Sequence, residues 1–107
     1  MNVWIGVDLD GTLAYYTSWQ GPEHIGEPIA PMLARVQKWL ADGREVRIFT
    51  ARANEPENIP YIQAWCLMHL GQVLPVTATK DYGMVVLYDD RCVRVITNTG
   101  VTLAPEA

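Results

Sequence analysis

Val3-Trp4-Ile5-Gly6-Val7-Asp8-Leu9-Asp10-Gly11-Thr12 is the stretch on which the fold turns. An uncharged, largely apolar run breaks off at Asp8, the pattern of a buried strand where it leaves the core. Outward from it, residues 14–27 carry glycine and proline without a sustained period and read as a long loop. From Pro28 the period changes. Ile29, Met32, Leu33, Val36, Trp39 and Leu40 recur at helical spacing, Pro28 and Pro31 sit in or near the first turn, and Gly43 supplies a stop. Glu45–Phe49 reads as a second strand ending at Thr50. After the polar stretch Ala53–Glu57, a second helix is predicted from about Asn58 to Leu70, with Ile62, Trp65, Cys66, His69 and Leu70 on one face and Gly71 as its stop. Strands are predicted near Leu74–Thr77, at Met84–Tyr88 and at Val93–Ile96.

Alternating strands and helices mark an α/β fold with crossover helices over a parallel sheet. Near-continuous apolar strands agree, because such sheets are covered on both faces. A chain of 107 residues reads as one domain over 1–107. Half of it is hydrophobic and 19% is charged, ordinary for a globular chain, and a net charge of −4 shows no general basic surface for nucleic acid or membrane. No segment approaches the ~20 apolar residues of a membrane span. Asp8 and Asp10 interrupt any signal-peptide pattern, so a reducing, cytoplasmic setting is the simplest expectation. Cys66 and Cys92 match no metal or redox spacing and read as small buried hydrophobes. Pairing with a second copy would add stability to so short a domain, but nothing in the sequence demands it.

In open α/β sheets, ligands bind beyond the carboxyl ends of the strands. Asp8 and Asp10, Thr50, and Asp89 and Asp90 each follow an apolar strand, so one rim is expected to collect them. Taken singly, each has a plainer reading: turn formers for the acids, a cap for Thr50, a solvated surface residue for Lys80. Together they describe chemistry. Clustered carboxylates repel one another unless a cation lies between them, and Mg²⁺ prefers oxygen ligands. Gly11 permits close backbone approach, and the free N–H groups beyond it suit a phosphate oxygen. Thr50 can hold a phosphoryl oxygen, Lys80 can offset the negative charge, and Arg52 can make a bidentate phosphate contact or a surface ion pair. Tyr15, Tyr16 and Trp19 in the loop are candidates for stacking on a base or sugar. His24 and His69 have no partners at ligand spacing, and Trp4, Trp39 and Trp65 read as core.

These residues resemble the haloacid dehalogenase superfamily of phosphohydrolases, in its small phage and bacterial branch. An apolar strand followed by Asp8-Leu9-Asp10-Gly11-Thr12, then Ile48-Phe49-Thr50, then Lys80, then Leu87-Tyr88-Asp89-Asp90 match the four family motifs in order, over about residues 2–96. The resemblance implies a three-layer, Rossmann-like fold with strand order 5-4-1-2-3 and helices on both faces. It further implies that Asp8 attacks phosphorus and that Asp10 serves as general acid and base. Thr50 and Lys80 then belong to the catalytic set, Gly11, Thr12, Thr50, Ala51, Arg52 and Lys80 to the substrate contacts, and Asp8, Asp10, Asp89 and Asp90 to the Mg²⁺ site. Asp10 enters that site through its backbone carbonyl. The chain departs from most relatives in having only the 14–27 loop where a cap domain would stand, which implies a large phosphorylated substrate such as a nucleic-acid end, or a borrowed lid.

A phosphoacceptor receiver module also combines acids, a Thr or Ser and a Lys, but its adjacent acid pair follows strand one, whereas here that pair comes late. A non-catalytic phosphate-binding domain is the other alternative. The lifetime of a phospho-Asp separates the receiver from the enzyme, and metal-dependent turnover separates the binder from it.

Overall fold

A computed structural model describes residues 3–103. The elements are β1 (Trp4–Val7), α1 (Ala30–Ala41), β2 (Val46–Phe49), α2 (Ile59–Leu70), β3 (Val76–Thr77) and β4 (Met84–Tyr88), with two 3₁₀ turns, Ala51–Asn54 and Pro56–Asn58, between β2 and α2. The class is α/β, as the alternation requires. The four strands form one parallel sheet in the order β3-β2-β1-β4. None of the helices among the described residues is long and apolar enough to cross a membrane.

Helix ends follow local chemistry. Pro31 occupies the first turn of α1, where a missing N–H costs nothing, and Pro60 does the same in α2. Gly71 ends α2 in the left-handed conformation that side chains disfavour, its N–H donating to the Leu67 carbonyl. Alternation along β1 and β2 sends Ile5, Val7, Val46 and Ile48 to one face. There they share a single core with Met32 and Val36 of α1 and with Ile62, Trp65 and Cys66 of α2.

Three expectations are corrected here. Helices do not lie on both faces. Both pack against the Ile5–Ile48 face, because β1→β2→β3 advances in one direction and right-handed crossovers then put both helices on the same side. Between β3 and β4 stands only the 78–83 connection, too short for a helix, and it reaches the opposite face at Trp4. Asp81 accepts the Trp4 indole N–H at 2.8 Å, and the Arg47 guanidinium lies 4.6 Å from the Trp4 ring centroid. The second correction is the fifth strand, and with it the order 5-4-1-2-3. Residues 93–96 do not join the sheet. Asn98 and Gly100 adopt positive φ of 64° and 73°, turning the chain back so that Val95 bridges Thr102 and Ile96 N–H donates to the Val101 carbonyl at 2.8 Å. Local self-pairing replaces pairing with the sheet, and β4 remains an edge strand with Val85 and Val86 exposed. The third correction is Cys92, which is exposed. Cys66 is buried as expected, and burial pushes its thiol up to about 11.

The loop over 14–27 is a real element with a tied base. Ala14 bridges Pro28, Tyr15 N–H donates to the Glu27 carbonyl at 2.8 Å, and Ile29 N–H donates to the Leu13 carbonyl at 2.8 Å. Gly26 packs so tightly on the Tyr15 carbonyl that no Cβ fits, and its own carbonyl accepts the Trp65 indole N–H at 3.0 Å.

Candidate active site

Leu9 determines how the first acids are displayed. It is fully buried, and its carbonyl gathers the N–H groups of Leu13 (3.0 Å) and Ala14 (2.8 Å), so the chain curls over the end of β1. Asp8 and Asp10 flank this buried residue and line a cleft of about 670 Å³ at the carboxyl rim of the sheet. Asp8 N–H donates to the Tyr88 carbonyl at 2.9 Å, tying the end of β1 to the end of β4 and bringing Asp89 and Asp90 alongside. Thr50, Ala51, Arg52 and Arg91 line the same cleft, as do Tyr16 and Trp19 of the loop.

Oxygens of Asp8, Asp89 and Asp90 lie within 4.8 Å of one another. Opposite ligands of a six-coordinate Mg²⁺ stand about 4.2 Å apart, twice the ~2.1 Å ligand distance, so this all-oxygen set fits a hard divalent ion after slight contraction. Thr12 sits beneath the cluster. Its hydroxyl is 3.3 Å from Asp8 Oδ2 and 3.2 Å from Asp90 Oδ1, and accepts the Asp90 N–H at 3.0 Å. Gly11, at φ 89°, leaves the space that Asp90 fills, since a Cβ there would lie 2.5 Å from Asp90 Oδ2. Gly11 and Thr12 therefore shape the acid cluster from below and are not among the residues lining the cleft.

Burial pushes the Asp8 carboxyl up from 3.8 to about 7, assisted by a hydrogen bond to Asp90 and by the charges of Asp89 and Asp90, with Thr12 opposing. Between pH 3.8 and about 7 the metal-free folded chain therefore holds a proton that the unfolded chain has lost, and its stability falls as pH rises through that window. A cation offsets this by favouring the charged carboxylate. Mg²⁺ is therefore expected to raise Tm more at pH 8 than at pH 5 in thermal-shift measurements. Equal shifts at the two pH values would rule out the cluster as the cation site.

Asp10 and Arg52 pair with each other. Asp10 lies outside the acid cluster, its carboxylate held in a fork by Arg52, with Nε to Oδ2 at 2.8 Å and Nη2 to Oδ1 at 2.9 Å. Arg52 is only 8% exposed, so it is no surface ion pair. Its Nη1 also donates to the Pro22 carbonyl (3.3 Å) and Nη2 to the His24 carbonyl (3.1 Å), and the guanidinium lies 4.8 Å from the Trp19 ring centroid. Four of its five N–H donors are thus engaged, leaving one for a phosphate rather than a bidentate pair. His24, assigned no chemistry from sequence, contributes a backbone carbonyl.

Thr50 is buried at the end of β2. Its hydroxyl accepts the Arg52 N–H at 3.2 Å, starting the 3₁₀ turn that brings Arg52 into the cleft. Asn58, missed from sequence, is buried and donates to the Arg52 carbonyl at 3.1 Å. Lys80 is exposed in the 78–83 connection and does not line the cleft. Arg91 does line it, with its N–H on Asp89 Oδ1 at 2.8 Å, and it was missed although it directly follows the acid pair. In comparisons with known proteins, no family model matches this chain, and neither does any curated protein or solved structure.

Proposed function

We propose that the chain is a Mg²⁺-dependent phosphohydrolase of the haloacid dehalogenase type, with Asp8 as the nucleophile that accepts the phosphoryl group. The observation that carries it is the meeting of Asp8 with Asp89 and Asp90 at the mouth of the cleft, where the ends of two neighbouring parallel strands supply three carboxylates to one point. The ordered motifs of the sequence and the thermodynamic cost of that cluster without a cation support the same reading. Asp8, Asp89 and Asp90 would hold the metal, joined by the Asp10 backbone carbonyl. Bound there, Mg²⁺ would screen the charge of nucleophile and phosphate so that two anions can approach.

The residues then divide the work. An Asp8 oxygen attacks phosphorus, the bond to the leaving oxygen breaks, and Asp10 gives that oxygen its proton. Water next attacks the aspartyl-phosphate and returns a proton to Asp10, releasing phosphate and restoring Asp8. Thr50, with the backbone N–H of Ala51, holds phosphoryl oxygens. The Arg52 fork sets the Asp10 carboxylate, and an incoming phosphate, as a competing anion, would loosen one prong so that Asp10 can carry the proton while the other prong still aims it. Lys80 would have to swing in from solvent to join, while Arg91 already lines the cleft. The substrate is a phosphomonoester of a nucleotide, a polynucleotide end or another large leaving group, because no cap domain among the described residues encloses the cleft.

The Arg52 fork favours a second reading as a phosphoacceptor module. With both Asp10 oxygens engaged, a phosphorylated Asp8 would hydrolyse slowly. One assay separates the two. Release of phosphate from p-nitrophenyl phosphate should be continuous, stop on chelation and return with Mg²⁺. A single stoichiometric burst of p-nitrophenolate, with the phosphoryl group retained as a long-lived acyl phosphate, supports the acceptor, and no reaction of the folded protein sinks both.

A further inference from the structure

We propose that the loop side of the cleft is a platform for a nucleobase, which makes the substrate class a nucleoside monophosphate; this rests on the phosphohydrolase reading above. Trp19 carries the inference. It is 54% exposed, yet one ring face is covered by the Arg52 guanidinium, itself anchored by Asp10 and by the carbonyls of Pro22 and His24. A large aromatic fixed from behind and bare in front presents a preorganised flat surface, and a stacked cation on its far side strengthens it. Tyr16, 43% exposed, lines the same cleft as Trp19 and the acid cluster. Both rings belong to the loop tied shut at Ala14–Pro28, so their position is set before a ligand arrives.

Size and charge narrow the ligand. About 670 Å³ suits a molecule of mononucleotide dimensions. Only Arg52 and Arg91 among the lining residues are cationic, and Arg52 is already committed. A polynucleotide would need a basic track along its phosphates, and a chain of net charge −4 with one uncommitted cation in the cleft does not provide one. A single phosphate at Asp8, with a base on Trp19, uses what is there.

The test compares adenosine 5′-monophosphate with ribose 5-phosphate, the same phosphomonoester without its base. Binding is read in the Mg²⁺-loaded full chain carrying Asp8→Asn, which does not consume either ligand, from the indole N–H resonances of its four tryptophans, with Trp19 assigned by Trp19→Phe. The nucleotide is expected to move the Trp19 resonance and to bind about tenfold or more tighter than ribose 5-phosphate, the scale of one base–aromatic stack. Trp19→Ala should erase that advantage, Trp19→Phe should keep most of it, and Tyr82→Ala, on an exposed residue outside the cleft, should leave it intact. Equal affinities for the two ligands overturn the proposal. So does a Trp19→Ala effect of the same size on both, which would mean that Trp19 acts only through Arg52. Tighter, steeply salt-dependent binding of a 5′-phosphorylated oligonucleotide overturns the mononucleotide class. Absence of p-nitrophenyl phosphate hydrolysis would fail the phosphohydrolase reading alone, since the platform is read from binding.

Discussion

Asp8→Asn is expected to abolish turnover of p-nitrophenyl phosphate, by at least about 10³-fold in kcat, while making the metal-free protein more stable at pH 8. The first effect follows from removing the oxygen nucleophile, since residues that form the covalent intermediate carry losses of this order or larger. The second follows from electrostatics. Asp8 sits beside Asp89 and Asp90, and its carboxyl is held up at about 7, so at pH 8 its charge works against the fold. An amide of the same shape removes that repulsion. Losing activity while gaining stability is a combination that misfolding cannot produce, and it is the pattern of a functional site held at a cost to the fold. Thermal unfolding in chelator and steady-state kinetics with Mg²⁺ measure the two halves. A variant that keeps a tenth of wild-type activity would exclude Asp8 as the nucleophile.

Arg52→Lys is expected to slow hydrolysis of alkyl phosphates about 10–100-fold while changing that of p-nitrophenyl phosphate by less than about fivefold. Lysine keeps the charge but cannot form the two-pronged contact that sets the Asp10 carboxylate. General acids contribute on the order of 10²–10⁴ in rate, and only to leaving groups that need the proton. An alkoxide needs it, whereas nitrophenolate departs without it. Arg52 is thus read as a positioning residue acting through Asp10. Equal losses on both substrates would instead mark it as a direct phosphate ligand. Arg52→Ala goes further. It strips Asp10 of its partner, leaves the Pro22 and His24 carbonyls without donors and removes support from Trp19, with a stability loss of about 2–4 kcal/mol. Lysine is therefore the variant on which the kinetic comparison rests.

Much of the site was legible in the sequence because each acid directly follows an apolar strand. A strand's end on a parallel sheet has one address, so Asp8, Thr50, Asp89 and Asp90 converge through topology alone. Interactions between distant residues were not legible. Nothing local at Arg52 says that its guanidinium meets Asp10, 42 positions away, or at Trp4 that its indole meets Asp81, 77 positions away. The Asp10 partner of Arg52 was not foreseen for this reason, since an arginine near a phosphate site and one locked inside it share the same sequence neighbourhood. Lys80 shows the converse. Its place in the order fits a catalytic lysine, but a flexible side chain on a short exposed connection is not aimed by the order alone.

Local pattern along the chain was enough for the α/β class, both helices, the four strands of the sheet and the rim on which the acids gather. Period and strand-end polarity are local properties, and burial enforces them one residue at a time. Tertiary structure decided the rest. It put both helices on one face, because the handedness of successive crossovers is a property of the whole sheet. It took residues 93–96 away from the sheet, because the Asn98–Gly100 turn gave them a nearer partner in their own chain. It also divided the carboxylates, leaving Asp8, Asp89 and Asp90 to one point and Asp10 to Arg52. A carboxylate's role depends on which opposite charge reaches it first, and only the folded chain settles that distance.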